Sequence, residues 1–151
     1  MATNSNIGIY DRKTNTSTFI YCHNDGYLEH VGLMLLLYYN SPEKAQALID
    51  LGDLSALYPN MAPLIGEESK HSFDHPIPNV TVAYHRDRGE DFHQTKFQTD
   101  NARTISAQLY MPYLYLYKNN EWYYSTTGTR WNKLKNNSII KALLPQKGYN
   151  I

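Results

Sequence analysis

The chain has 151 residues, with 14 Lys plus Arg against 14 Asp plus Glu, and so carries no formal net charge when its histidines are neutral. That length supports one domain with a real core, while the charge balance argues against grip on long duplex nucleic acid, which needs a basic face. The single cysteine, Cys22, excludes an internal disulfide and any multi-cysteine zinc site, and makes a cytosolic setting the natural expectation.

The opening MATNSNIGIY has no basic segment followed by an apolar core, so no secretory leader is expected. SNIGIYDR, KTNT and STFIYCH then read as strand, polar turn and strand, a hairpin. In the second strand Phe19, Tyr21 and His23 share one face and Thr18, Ile20 and Cys22 the other. Both faces are largely apolar, which predicts a central strand. NDG breaks it. YLEHVGLMLLLYY follows as an unbroken helix to Tyr39, apolar all round from Leu33 onward. A helix without a solvated face is either enclosed by its own domain or covered by another subunit. Its apolar run is far too short to span a bilayer.

NSPEKAQALIDLGD predicts a second helix. Ser41 caps it, Pro42 suits its first position, Glu43 favours the positive end of its dipole, and Gly52 ends it in a left-handed conformation. Ala45, Leu48 and Ile49 form its buried stripe. Residues 53–79 are irregular, punctuated by Pro59, Pro63, Gly66, Pro76 and Pro78, a length that suits a functional loop or lid.

VTVAYHR reads as a strand with Val80, Val82, Tyr84 and Arg86 on one side, and Thr81, Ala83, His85 and Asp87 on the other. FHQTKF reads as a further strand, and TDNARTISAQL as a short helix capped by Thr99 or Asp100. YLYLYKNNEWYYS is a hairpin turning at Asn119-Asn120, which tolerate positive φ. NNSIIKALLP closes as a helix started by Asn137 or Ser138 and stopped before Pro145. Together these predict a single α+β domain over residues 1–151, with a mainly antiparallel sheet and two or three packed helices.

Two stretches carry candidate chemistry. In CHNDGYLEH, Gly26 permits a sharp strand-to-helix turn, and the free amides that follow attract phosphate. Asp25 either reads a guanine edge or simply caps the helix, with His23 half-buried. In YHRDRGED, Arg86 and Arg88 beside Tyr84 suit phosphate and base: guanidinium to phosphate, ring to base. The competing reading is a solvated turn whose Arg and Asp/Glu neutralise one another. His23, Asp25, His30, His85, Asp87 and His93 have metal-ligand chemistry, but no HExxH or other compact signature accompanies them. His71 and His75 lie in the proline-rich loop. Cys22 is a poor nucleophile, because it points away from His23 and has no activating partner. TTGTRW offers hydroxyls, Arg130 and Trp131 to a phosphate but lacks a P-loop ending. Fourteen tyrosines supply stacking faces and hydroxyls for a binding surface, and are equally at home in a half-buried sheet.

IYCHNDGYLEHVGLMLLLYYN, KAQALIDLGDLSAL and VAYHRDRGED together resemble a widespread group of small bacteriophage proteins. That group has a His-x-Asp-Gly-Tyr segment leading into a helix, a Leu-Gly-Asp helix end and a Tyr-x-Arg-Asp-Arg-Gly-Glu segment. The resemblance covers roughly residues 7–92 plus the EWYY hairpin. It departs at Asn24, where an aromatic is expected. The group is similar to anti-CBASS proteins of the sponge type, which hold a cyclic dinucleotide signal without cutting it and act as oligomers. The resemblance implies a pocket lined by His23, Asp25, Gly26, Tyr27, His30, Tyr84, Arg86, Asp87 and Arg88. It implies a homo-oligomer in the host cytoplasm, with a cyclic dinucleotide as partner, neither long nucleic acid nor membrane, no cofactor, no metal and no catalytic residue. Two other classes stay open: a metal-assisted phosphodiesterase acting on a nucleotide signal, and a protein–protein inhibitor of a host defence complex that uses the tyrosine-rich hairpin.

Overall fold

The computed structural model describes residues 2–148. The predicted hairpin forms from β1 (Ser5–Asp11) and β2 (Thr16–Cys22), with Ile7 opposite Ile20 and Asp11 opposite Thr16. β3 (Leu54–Ala56) and β4 (Val82–Ala83) extend the sheet on the β2 side. On the other side β1 is followed by β6 (Tyr113–Lys118), β7 (Glu121–Ser125) and the short β8 (Asn132–Lys133). β5 (Thr95–Phe97) pairs with the opening half of β2, so β2 shares one edge between β5 and β3.

The fold is α+β, as expected, but its sheet is mixed. β1 runs parallel to β6, and β2 parallel to β3, while the remaining pairs are antiparallel. The reason is chain routing. β1 and β6 are separated by most of the sequence, and neither carries a local turn that would set their direction. Five α-helical segments occur among the described residues, more than the two or three expected: α1 (Leu33–Tyr38), α2 (Pro42–Ile49), α3 (Tyr84–Arg88), α4 (Ala102–Leu109) and α5 (Ser138–Leu143).

Alternation along the strands builds two cores. One face of the sheet offers Ile7, Ile20, Cys22, Tyr115 and Tyr117 to Val31, Leu35, Leu48, Ile49 and Ile140. The other face buries Phe19, Leu114 and Leu116 beneath Phe97 and Ile105. β2 is therefore covered on both sides over Phe19 and Ile20, which agrees with its predicted central place.

Local signals also land. Ser41 accepts the Lys44 N–H at the start of α2, and Gly52 is left-handed at φ 76° after its end. Asn119 and Asn120 take φ of 53° and 63° in the β6–β7 turn. Asn137 caps α5. The cap of α4 is Asn101, one or two residues beyond the expected Asp100 or Thr99; its Oδ1 accepts from both Arg103 and Thr104 N–H, while Thr99 Oγ1 accepts the N–H of Asn101 itself.

The segment expected as one unbroken helix starts instead with a wide π-turn over Leu28–Gly32, in which the Gly32 N–H reaches back to the Tyr27 carbonyl. Leu33 and Leu35 of α1 are buried, whereas Met34, Leu36, Leu37 and Tyr38 are half-buried against the same core. No helix among the described residues is long and apolar enough to cross a membrane.

Candidate functional site

The two charged corners picked out in the sequence flank one short strand. His23 N–H and Asn24 N–H donate to Leu54 and Ser55 carbonyls, and Leu54 pairs with Ala83 on its other side. β3 alone thus separates the corner after β2 from the corner after β4. β2 runs parallel to β3 and β4 antiparallel to it, so the chain leaves β2 toward the Ala56 end of β3 and leaves β4 at its Asp53 end.

Asp53, just before β3, ties Tyr21 of β2 to the start of the second corner. Its Oδ1 accepts the Tyr21 N–H at 2.9 Å, its Oδ2 lies 3.1 Å from His93 Nδ1, and its carbonyl accepts the Tyr84 N–H at 3.2 Å. Burial raises the Tyr21 hydroxyl above its ordinary value, and nearby Tyr84, Cys22 and Asp53 raise it further. Tyr21 donates to His23 Nδ1 at 2.6 Å, and the Asn4 amide faces the same nitrogen at 3.4 Å, so this nitrogen is the acceptor. The result is a half-buried patch of Tyr21, His23 and Tyr84 on the sheet face left open beyond α4.

The second corner is a helical turn. The expected strand stops at Ala83, and Tyr84–Arg88 coil as α3 before Gly89 ends the turn at φ 74°. This overturns the alternating assignment of faces. Four residues apart, Tyr84 and Arg88 now share a side. The Arg88 guanidinium stacks 4.0 Å above the Phe73 ring and 5.1 Å from that of Tyr84. Arg88 also pairs with Glu90, and its side chain remains 47% exposed.

Arg86 turns the other way, into the protein. Its Nε and Nη2 donate to Asp87, while Nη2 and Nη1 also reach the Thr81 and Met61 carbonyls at 2.7 and 2.8 Å. Asp87 is a hub with only 4% of its side chain exposed. It accepts from Arg86, from the Ala83 N–H at 2.8 Å and from His71 Nε2 at 3.3 Å. Ile77 N–H donates to His71 Nδ1, which places the imidazole proton on the nitrogen facing Asp87. Burial alone would push the Asp87 carboxyl up. Hydrogen bonds from Arg86 and Ala83, together with the Arg86 charge, hold it below the ordinary carboxylate range. The network ties residues 61, 71 and 77 of the long loop to α3.

The first corner is built by close packing. Gly26 is buried, and a Cβ there would lie 2.7 Å from Ser5 Cβ and 2.9 Å from the Asn4 backbone. Its N–H donates to Thr3, and its carbonyl accepts the buried Tyr115 hydroxyl at 2.8 Å. Asp25 stands in the left-handed region at φ 54°, which Asp tolerates. Its carbonyl takes the Val31 N–H, and its carboxylate accepts the Tyr27 hydroxyl at 3.1 Å, which raises the Tyr27 pKa. It makes no helix cap. His30 donates Nε2–H to the Leu57 carbonyl at 2.8 Å and meets the Tyr58 ring edge-on.

Of the nine predicted residues, Tyr84 is bound to Asp53 through its N–H and carries Arg88 near its ring, while His23 meets Tyr21, whose N–H Asp53 also accepts. Asp25, Gly26, Tyr27 and His30 shape the turn after β2. Arg86 and Asp87 face the loop. Among the described residues no three His, Cys, Asp or Glu side chains are grouped to hold a metal ion. Cys22 is fully buried, and burial pushes its thiol up to about 12, which keeps it protonated at neutral pH. Sequence reasoning missed Asp53 and Phe73. An acidic residue after a Leu-Gly helix end was the only visible sign of the first. The second depends on residue 73 reaching α3 through its N–H to the Asp87 carbonyl. No protein-family model, curated protein or solved structure matches this chain.

Proposed function

We propose that this protein binds and holds a cyclic dinucleotide of the 3′,3′-cyclic GMP–AMP type without cleaving it, in a host cytoplasm and as an oligomer. The observation that carries the reading is the stack of Phe73, Arg88 and Tyr84 beside Tyr21 and His23. An exposed guanidinium laid on aromatic rings offers a flat cationic surface, which attracts both a nucleobase face and a phosphate. Tyr21, Tyr84 and His23 add stacking surface next to it. Arg88 is the phosphate contact in this reading, and Arg86 and Asp87 keep the turn in shape. Asp25, in the corner after β2, has a carboxylate suited to a guanine edge. Half-buried Met34, Leu36 and Leu37 on α1 support self-association, which would enclose a ligand that a single open face cannot.

The test is titration calorimetry with 3′,3′-cyclic GMP–AMP, followed by heating the complex and chromatography of what is released. Stoichiometric recovery of intact nucleotide is the expected result. Linear or mononucleotide products would replace the reading with a phosphodiesterase. Absence of binding, together with capture of a defence complex from infected cells, would replace it with a protein–protein inhibitor.

A further inference from the structure

A cationic hollow lies away from both corners. It is a cleft of about 770 Å³ between the start of α2 and the β1–β2 hairpin. Ile9, Thr16 and Thr18 belong to the strand face beneath it, since Ile9 pairs with Thr18 and Asp11 with Thr16. Pro42 and Gln46 of α2 form one wall, and Arg12, Lys13 and Lys96 edge the opening. Lys96 pairs with Thr18 in the β2–β5 register, which brings this distant cation to the hairpin.

Three of the eight Lys and Arg side chains that meet no carboxylate among the described residues line this one cleft. Arg86, Arg88, Lys118, Lys133 and Lys135 all meet carboxylates. Arg12, Lys13 and Lys96 form no ion pair among the described residues. The one acid at the rim, Asp11, spends an oxygen on the Lys13 backbone N–H at 2.9 Å. The first turn of α2 also faces the cleft through Pro42, and the positive end of its dipole adds to the same potential. Three unpaired cations, threonine hydroxyls and a helix start surround a volume in the range that holds small ligands. A strongly cationic hollow in a chain of zero net charge calls for a polyanion.

We propose that this cleft is a second binding site, for the polyphosphate of a nucleoside triphosphate. The cations hold the phosphates, the Thr18 hydroxyl donates to their oxygens, and Ile9 and Pro42 give an apolar seat for the nucleoside. The site shares no residue with the one proposed above and stands or falls apart from it.

Titration calorimetry on the full chain with ATP, inorganic tripolyphosphate and adenosine tests it. ATP and tripolyphosphate are expected to bind in competition with one another, and adenosine alone to give no heat. The Arg12→Glu/Lys96→Glu variant is expected to weaken ATP by about tenfold or more, since it removes two charge-assisted contacts. A Lys141→Glu/Lys147→Glu variant makes the same change in net charge on the exposed C-terminal segment and is expected to bind ATP as the parent does. Melting curves establish that both variants are folded. Lack of binding at millimolar ATP, equal losses in the two variants, or binding of adenosine as tight as ATP would each overturn the site. Cyclic dinucleotide binding retained in Arg12→Glu/Lys96→Glu supports two separate sites; its loss from that folded variant overturns the separation.

Discussion

The charged turn at residues 84–90 and the hairpin tip at residues 11–13 make opposite use of their charges. The turn looks the richer binding motif in sequence, yet most of its charge is consumed internally: Arg86 on Asp87 and two carbonyls, Arg88 partly on Glu90, Asp87 on three donors. The hairpin tip reads as an ordinary polar turn, yet its cations stay unpaired beside a cleft. Charge density along a chain therefore says little about charge available to a ligand. What matters is whether a carboxylate is held within reach, and that is a property of the folded surface.

The sharpest way to break the comparison is Asp87→Ala. If the turn is a structural hub, its loss strands the Arg86 guanidinium and leaves His71 unpaired, and is expected to cost about 3 kcal/mol or more in chemical denaturation. A change near zero would mean that the turn's charges are as free as those of the hairpin. Gly26→Ala probes the packed corner after β2. The added Cβ meets Ser5 Cβ at 2.7 Å, and a loss of roughly 1–3 kcal/mol is expected in the same assay.

Acid titration sharpens the comparison further. Asp87 has a folded-state pKa below its unfolded value, so the unfolded chain takes up the proton first as pH falls. Its contribution is full above the ordinary carboxylate range and is lost as pH drops through the lower folded value. Denaturation midpoints followed from neutral pH down to about pH 3 should show that loss, and Asp87→Asn should remove this component of it.

Arg88→Ala is expected to change stability by under about 1 kcal/mol, because its pair with Glu90 is half-exposed. The same substitution is expected to weaken cyclic dinucleotide binding by about tenfold or more. A variant that unfolds instead would move Arg88 into the hub with Arg86. The smallest effect is expected for Lys70→Ala, which removes an exposed pair with Glu67 and should shift stability by less than about 0.5 kcal/mol.

Local chemistry was legible in the sequence wherever one residue and its near neighbours decide the outcome. Ser41 and Pro42 start α2, Gly52 ends it, Asn119-Asn120 turns the hairpin, and Asn137 caps α5, because backbone preference and short-range hydrogen bonds suffice there. The alternation in β2 likewise announced a strand covered on both faces. Carrying the VTVAYHR strand on through Tyr84, His85 and Arg86 failed because Asp87 reaches back to the Ala83 N–H and Gly89 closes the turn, and pattern alone does not reveal that return contact.

The candidate site was legible as residue types but not as an arrangement. Tyr84, Arg88 and His23 are legible as types, while Asp53, which ties Tyr84 to Tyr21, and Phe73, which carries the guanidinium, are not. Their roles exist only once β3 is laid between β2 and β4 and residue 73 is brought back to α3. The parallel pairing of β1 with β6, the placing of Lys96 beside Thr18 and the pairing of each arginine were likewise settled by tertiary structure alone. The physical reason is common to all of them. Caps and turns depend on energies within a few residues, whereas these contacts join segments far apart in the chain. They are fixed only when burial of the two apolar faces of the sheet selects one global arrangement.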